Sequence, residues 1–259
     1  MFRKRYYYLL TIQFLGFRYH GWQKQPDVLT LERMVSRTLQ YVLGHNNFKL
    51  LAAGRTDAKV SAHMQYVELF LDNEPLQIEE FFPLFNRNLP QDIRALEIQE
   101  VDESFNIIEA PTEKEYIYLF AYGAKTHPFA APLMYTVFED LDLDTMKQAA
   151  QLFEGTHDFK NYSYKPTPET KTIVTITQSE IVENELYQAN FFPEKSYLYR
   201  IRGKGFKRHQ IRLMMGALFD VGEGKFTLSD IEKSLQEDVT MKLERIVPAS
   251  GLLLQEVKL

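Results

Sequence analysis

The 259-residue chain carries 30 Lys and Arg against 35 Asp and Glu, a formal charge of −5, and has no cysteine. With 45% apolar, 14% aromatic and 25% charged residues, it can build a sizeable core as one large domain or two small ones, and intrinsic disorder is excluded. The missing cysteine excludes disulfides, thiolate catalysis and Cys-built zinc sites; the acidic balance argues against a nonspecific nucleic-acid coat but leaves a local basic groove open.

Arg3, Lys4 and Arg5 precede the run Tyr6 to Phe17, but Thr11 and Gln13 interrupt it, which argues against a secretory signal. Leu10, Ile12 and Phe14 alternate with those polar residues, the period of a half-buried strand. No stretch reaches the length of a membrane span, so a cytoplasmic protein without a membrane partner is expected. A loop from Gly16 to Pro26 leads to a helix opened by Thr30, with Leu31, Met34, Val35, Leu39 and Val42 on one face and Gly44 as its stop. Strands are predicted at 48–53 and 65–71 around a turn-like segment, Gly54 to Ala62. A helix at 77–86 follows despite Pro83, and then a turn over Asn88-Leu89-Pro90-Gln91-Asp92.

A similar order recurs, without an alignable repeat or a low-complexity linker. Tyr116 to Tyr122 reads as a strand, and Asp142 caps a helix carrying Met146, Ala149, Ala150 and Phe153 that stops at Gly155. Strands are predicted at 172–182, 186–192 and 196–203. Next come a helix with Ile211, Met214, Met215, Leu218 and Phe219 inward, ending at Gly222, and a shorter one with Thr227 and Asp230 as a capping box. The fold class is therefore α+β, a mainly antiparallel sheet with helices, in halves 1–105 and 106–259.

Charge is uneven. Arg3, Lys4, Arg5, Arg18 and Lys24 occupy a first acid-free stretch; Arg200, Arg202, Lys204, Lys207, Arg208 and Arg212 occupy a second. Should the two meet in space they would line a groove for a polyanion; two ordinary solvated faces are the plainer alternative.

Gly54-Arg55-Thr56-Asp57-Ala58 lies between two predicted strands. Asp57 has the chemistry of a nucleophile or general base and Arg55 that of a phosphate binder, although a turn closed by Asp57 on its own backbone fits the spacing as well. Arg212 borders the buried stripe of its helix and is either half-buried, needing an acid such as Asp57, or a surface arginine. Gly216 one turn on, costly in mid-helix by about 1 kcal/mol, points to something packed closely there. Tyr116 and Tyr118 share a strand face suited to stacking on an extruded base, against a default of core packing that applies also to the lone Trp22. The six histidines show no metal-ligand spacing, so no metal is expected, and no phosphate-cradling glycine loop or nucleophile elbow occurs.

Tyr19-His20-Gly21-Trp22-Gln23, the Gly54 to Ala58 segment with Val60, Ala62 and Gln65, and Asn88 to Ile93 occur in that order; Lys114-Glu115-Tyr116-Ile117-Tyr118, Phe206 to Gly216 and Pro248-Ala249-Ser250-Gly251-Leu252 follow. Over nearly the whole chain this set resembles the tRNA pseudouridine synthase A (TruA) family. The resemblance implies the pseudouridine synthase fold, two ferredoxin-like halves around a central cleft, the first carrying the aspartate loop and the second the tyrosine strand and arginine helix. It implies a uridine isomerase without cofactor or metal, acting on tRNA or other structured RNA, with the anticodon arm as expected target, and a homodimer. Asp57 matches the aspartate that attacks the nucleotide, at the ribose or at the base ring. Tyr116 matches the tyrosine that stacks on the flipped uracil, and Arg212 the arginine that pairs with the aspartate. Arg55 matches the residue that helps extrude the base; with His20, Trp22, Gln23, Lys204, Lys207, Arg208 and His209 it makes up the expected RNA-binding set. The family's usual Gly-Val-His after Asp-Ala is Lys59-Val60-Ser61 here, and Lys207 and Gln210 replace apolar residues, departures that spare the catalytic set. Two other readings are an RNA-binding module without efficient catalysis and an Asp-based glycoside hydrolase; the latter is weak because only one carboxylate is placed where glycosidases use two.

Overall fold

The computed structural model describes residues 4–259; Arg3 of the first basic stretch lies outside the described residues. The chain forms two compact units, one of the described residues up to Thr112 together with Leu254–Leu259, the other Glu113–Leu253. In chain order the elements are β1 (Arg5–Phe14), α1 (Leu31–Leu43), β2 (Phe48–Ala52), β3 (Ser61–Asp72), α2 (Ile78–Asn88), β4 (Ile93–Val101), β5 (Glu113–Tyr122), β6 (Tyr135–Val137) and α3 (Leu143–Gln151). They continue with β7 (Gly155–Asp158), β8 (Ile173–Glu183), β9 (Tyr197–Gly203), α4 (Gln210–Gly222), α5 (Leu228–Ser234) and β10 (Leu252–Lys258).

In the first unit β1 lies between β3 and β4, antiparallel to both, with β2 and β10 also against β3. That central place explains why Tyr8 to Ile12 are all buried, beyond the alternation of a half-buried strand. α1 ends on left-handed Gly44, whose amide reaches Gln40 O. α2 runs through Pro83 because its buried Phe81 and Phe85 stack at 5.3 Å, and the Asn86 side chain bonds both backbone groups of Ala95 on β4. These contacts outweigh the hydrogen bond that a proline forfeits.

In the second unit the order is β5-β9-β8-β7, antiparallel throughout, with short β6 parallel on the edge of β5. Both units are thus α+β with mainly antiparallel sheets, as the pattern predicts. α4 is buried nearly all round, and Phe219 packs edge-on against Phe120 at 5.2 Å. The capping box at Thr227 and Asp230 is present in both directions.

Four details depart from the sequence pattern. The strand predicted at 186–192 does not form: β8 runs straight into a 184–196 loop and returns as β9, pairing Glu183 with Tyr197. The Asn184 side chain accepts from Tyr187 N and donates to Tyr187 O, closing a local turn that withholds those groups from a ladder. β4, β6, β7 and β10 are not predicted from the pattern, β3 starts at Ser61 rather than 65, and α3 stops at Gln151, short of Gly155. Phe153 beyond it turns inward onto Tyr162, ring centroids 5.2 Å apart.

Asp142 accepts from Thr145 N at 3.1 Å and caps α3. Asp142→Ala should lower stability by about 1 kcal/mol, seen as a lower urea midpoint with an unchanged slope.

Candidate active site

Asp57 is half-buried, in a tight turn that a second loop clamps from below. Val60 N donates to Asp57 O at 3.2 Å, and Lys59 closes the turn with φ of 67°, a left-handed conformation that costs a lysine about 1 kcal/mol. The loop after β1 crosses this turn backbone against backbone. Trp22 N donates to Thr56 O at 3.2 Å, and Lys59 N to Tyr19 O at 2.9 Å. Gly21 has φ of 89°, and a Cβ on it would stand 2.7 Å from Thr56 O and 3.2 Å from the Asp57 carbonyl carbon. On the loop's other side the Gly21 and Trp22 carbonyls accept from the Leu31 and Glu32 amides. Backbone therefore meets the orphan donors of α1, whose N-cap Thr30 makes no side-chain cap.

The same loop is pinned at its base. Tyr19, buried, donates from its hydroxyl to Asp92 at 2.7 Å; Arg18 Nη2 donates to Asp92 at 2.9 Å and to Tyr19 Oη at 2.9 Å. Burial pushes the Tyr19 phenol well above its ordinary value, and the Asp92 carboxylate pushes it further. Burial also pushes Asp92 upward, but the hydrogen bonds from Arg18 and Tyr19 outweigh it and hold the carboxyl below the ordinary range. Ser61, where the family usually has His, accepts from Gly16 N at 2.9 Å and ties the loop again.

In the second unit Tyr116 stands on β5 opposite Ile201 of β9, half-buried, with Phe206 packed edge-on at 5.3 Å. Tyr118, on the same face, is fully buried and donates to Pro248 O at 2.8 Å. It belongs to the core, so the two tyrosines that sequence could not separate differ in exposure. Arg212 lies in the first turn of α4 and is half-buried; its Nε donates to Val247 O at 2.7 Å. The close approach expected at Gly216 is present: a Cβ there would sit 2.0 Å from Arg245 O. Left-handed His209, φ 59°, precedes the helix, and Gln210 Oε1 accepts from Lys207 N at 2.8 Å.

Of the residues expected to touch RNA, His20, Gln23, Arg55, Lys204 and Arg208 are exposed, and Lys207 and His209 are half-buried. Trp22 is different: only 4% exposed and packed beside Phe14, it is a core residue that steadies the loop. The basic stretches are acid-free only along the chain. Arg200 and Arg202 both pair with buried Glu115, at 3.0 and 2.5 Å, Arg5 pairs with Asp72 and Arg18 with Asp92. In the second stretch Lys204 and Arg208 are exposed, with Arg208 and Lys165 both over the ring of Tyr164, which itself lies 4.6 Å from His209; in the first, Lys4 and Lys24 are exposed. Nothing in the sequence spacing of Tyr164 and Lys165 signals their contact. Among the described residues no group of three or more His, Asp and Glu is placed to hold a metal ion, and no helix is long and apolar enough to cross a membrane.

One α+β unit thus presents an aspartate on a clamped turn, and the other a tyrosine on a strand and an arginine on a helix. The family described as tRNA pseudouridine synthase matches residues 149–258. A tRNA pseudouridine synthase A of Acetivibrio thermocellus is 32% identical over 96% of this chain and 97% of its own length. One of Staphylococcus aureus is 30% identical over 97% and 91%, and one of Clostridium acetobutylicum 29% over 96% and 97%. The chain belongs to the tRNA pseudouridine synthase A family.

The Arg18–Tyr19–Asp92 trio carries a pH signature. The lowered folded pKa of Asp92 contributes stability above the unfolded value, about 3.9, that is lost as pH falls through the folded value. Asp92→Asn should therefore melt below the parent at pH 7, and the gap should narrow below about pH 4, measured by thermal denaturation across pH.

Proposed function

We propose that this chain performs its family's reaction with Asp57, Tyr116 and Arg212 as the catalytic residues. It is an isomerase that converts uridine to pseudouridine in tRNA. In that reaction the bond from N1 of uracil to the ribose anomeric carbon breaks and one from C5 forms. C5 loses a proton and N1 gains one, so no electrons are exchanged and no cofactor is called for. Asp57 attacks the nucleotide, at the ribose or the base ring. The Tyr116 ring pins the detached uracil so that it turns in place, and Arg212 supplies positive charge to the reaction.

The observation that carries this reading is the Asp57 turn itself, crossed by bare backbone at Gly21 and held with a left-handed non-glycine residue, Lys59, two positions on. Strain kept at one turn by surrounding structure is the mark of a positioned functional group. Exposed Arg55, His20, Gln23, Lys204 and Arg208, with Lys207 and His209, are the proposed RNA contacts, and phosphate binding there offsets the few kcal/mol of extruding a base. Trp22 is left out because it is buried. A module that binds RNA without catalysis is not favoured. We place the target uridines in the anticodon arm and the protein in the cytoplasm as a homodimer; sedimentation of the free protein tests the dimer.

Unmodified total tRNA incubated with the pure protein, without cofactor or metal, should gain pseudouridine in the anticodon arm, mapped by chemical labelling and primer extension. Asp57→Asn should abolish turnover and leave RNA binding nearly intact; retained turnover overturns the role of Asp57. Arg212→Ala should lose more activity than Arg212→Lys, and equal losses count against a role for the positive charge.

A further inference from the structure

An extended segment, 245–247, lies antiparallel along one face of α4. Arg212, Gly216, Phe219, Asp220 and Glu223 recur on that face at helical spacing. At one end Val247 O accepts from Arg212 Nε at 2.7 Å, and Val247 N reaches Arg212 O at 3.4 Å. In the middle the Arg245 carbonyl occupies the space a side chain on Gly216 would need. At the other end the Arg245 guanidinium lies 5.0 Å from the Phe219 ring centroid and donates to Asp220 at 3.1 Å and to Glu223 at 2.7 Å. Glu223 is 5% exposed and is also paired with Lys225. Beyond Val247 the Pro248 carbonyl is held by the buried Tyr118 hydroxyl.

This arrangement does more than close the helix against its neighbour. The bond from Nε fixes the plane of the Arg212 guanidinium, and thereby the direction in which its two Nη groups point. The carbonyl that receives that bond belongs to a segment with no secondary structure of its own. Its position along α4 is set on one side by the Arg245 ion pairs and on the other by Tyr118. We propose that Arg245, through Asp220 and Glu223, is a positioning residue for the reaction: it holds Val247 where its carbonyl aims the Arg212 guanidinium. The proposal rests on the assignment of Arg212 as a catalytic residue. The cluster lines a cavity of about 660 Å³ whose lining includes neither Tyr116 nor Arg212.

The test is a set of single-turnover rates and RNA dissociation constants on an unmodified tRNA transcript, taken well below each variant's unfolding transition. Arg245→Met keeps the aliphatic stem over Phe219 and removes the ion pairs; Glu223→Gln keeps the shape and removes one charge. Both should slow the chemical step, Arg245→Met by roughly tenfold, since sub-ångström misplacement carries losses of that order. RNA affinity should not change, and Arg245→Lys should recover part of the rate. In an Arg212→Lys background Arg245→Met should change the rate by less than about twofold, because coupled residues are not additive. A folded Arg245→Met with wild-type rate, or an equal loss in the Arg212→Lys background, overturns the proposal. Wild-type turnover in both Arg212→Ala and Arg212→Lys overturns instead the assignment of Arg212, and the positioning proposal falls with it.

Discussion

Two crossings of bare main chain carry the side chains proposed to do the chemistry. At one, the loop after β1 passes over the Asp57 turn at Gly21; at the other, the 245–247 segment passes over α4 at Gly216. A Cβ at either point would drive into a carbonyl, so the contact exists only where the side chain is absent. Main chain held against main chain has no rotamers to explore, and its hydrogen bonds fix position more tightly than side-chain packing can. Asp57 is one residue from such a bond, Trp22 N to Thr56 O, and Arg212 accepts one at its own carbonyl from Val247 N. Catalytic groups are most effective when the shell beneath them is rigid, and here that shell is backbone.

Charge follows a similar logic of local accounting. Glu115 is buried in β5 next to Tyr116 and draws Arg200 and Arg202 of β9 onto itself. A carboxylate there costs desolvation, which two guanidinium partners offset. The pairing removes two cations from the apparent basic stretch and braces the strand that bears Tyr116. Asp92 does the corresponding work in the first unit, joining Arg18 and Tyr19 to the turn that precedes β4. Basic residues outside such pairs, Lys204 and Arg208 among them, keep their exposure.

Much of the fold was legible along the chain. α1, α3, α4 and α5 announce themselves by apolar residues at helical spacing and by the residues at their ends, Thr30, Asp142, Gly44 and the Thr227–Asp230 box. β1 and β5 show strand-like patterning. β7 is too short to show a period, and in β10 the run Leu252-Leu253-Leu254 masks in sequence the alternation that its burial shows, Leu252 and Leu254 inward with Leu253 between them half-buried. The false strand at 186–192 has the right composition, Leu186, Tyr187, Phe191 and Phe192, but a single asparagine upstream consumes the backbone donor and acceptor of Tyr187. Composition cannot reveal that choice, since it is made by one side chain against a ladder.

The sequence by itself determined the fold class, because turn residues, strand alternation and helix periodicity are local properties of consecutive residues; Asp57, Tyr116 and Arg212 were singled out by the resemblance to a family and not by that patterning. The sequence also pointed to Gly216 as a place of close approach, since a glycine inside an apolar helix stripe costs stability that something must repay. What approaches Gly216, and what crosses Gly21, only the tertiary structure decided: Arg245 is 29 positions along the chain from the one, and Thr56 is 35 from the other. The same holds for burial. Trp22 and Tyr118 carry the same chemistry as residues that meet a substrate, but packing against Phe14 in one unit and a hydrogen bond to Pro248 in the other commit them to the core. Long-range packing assigns such side chains their place, and no pattern of neighbours in sequence encodes it.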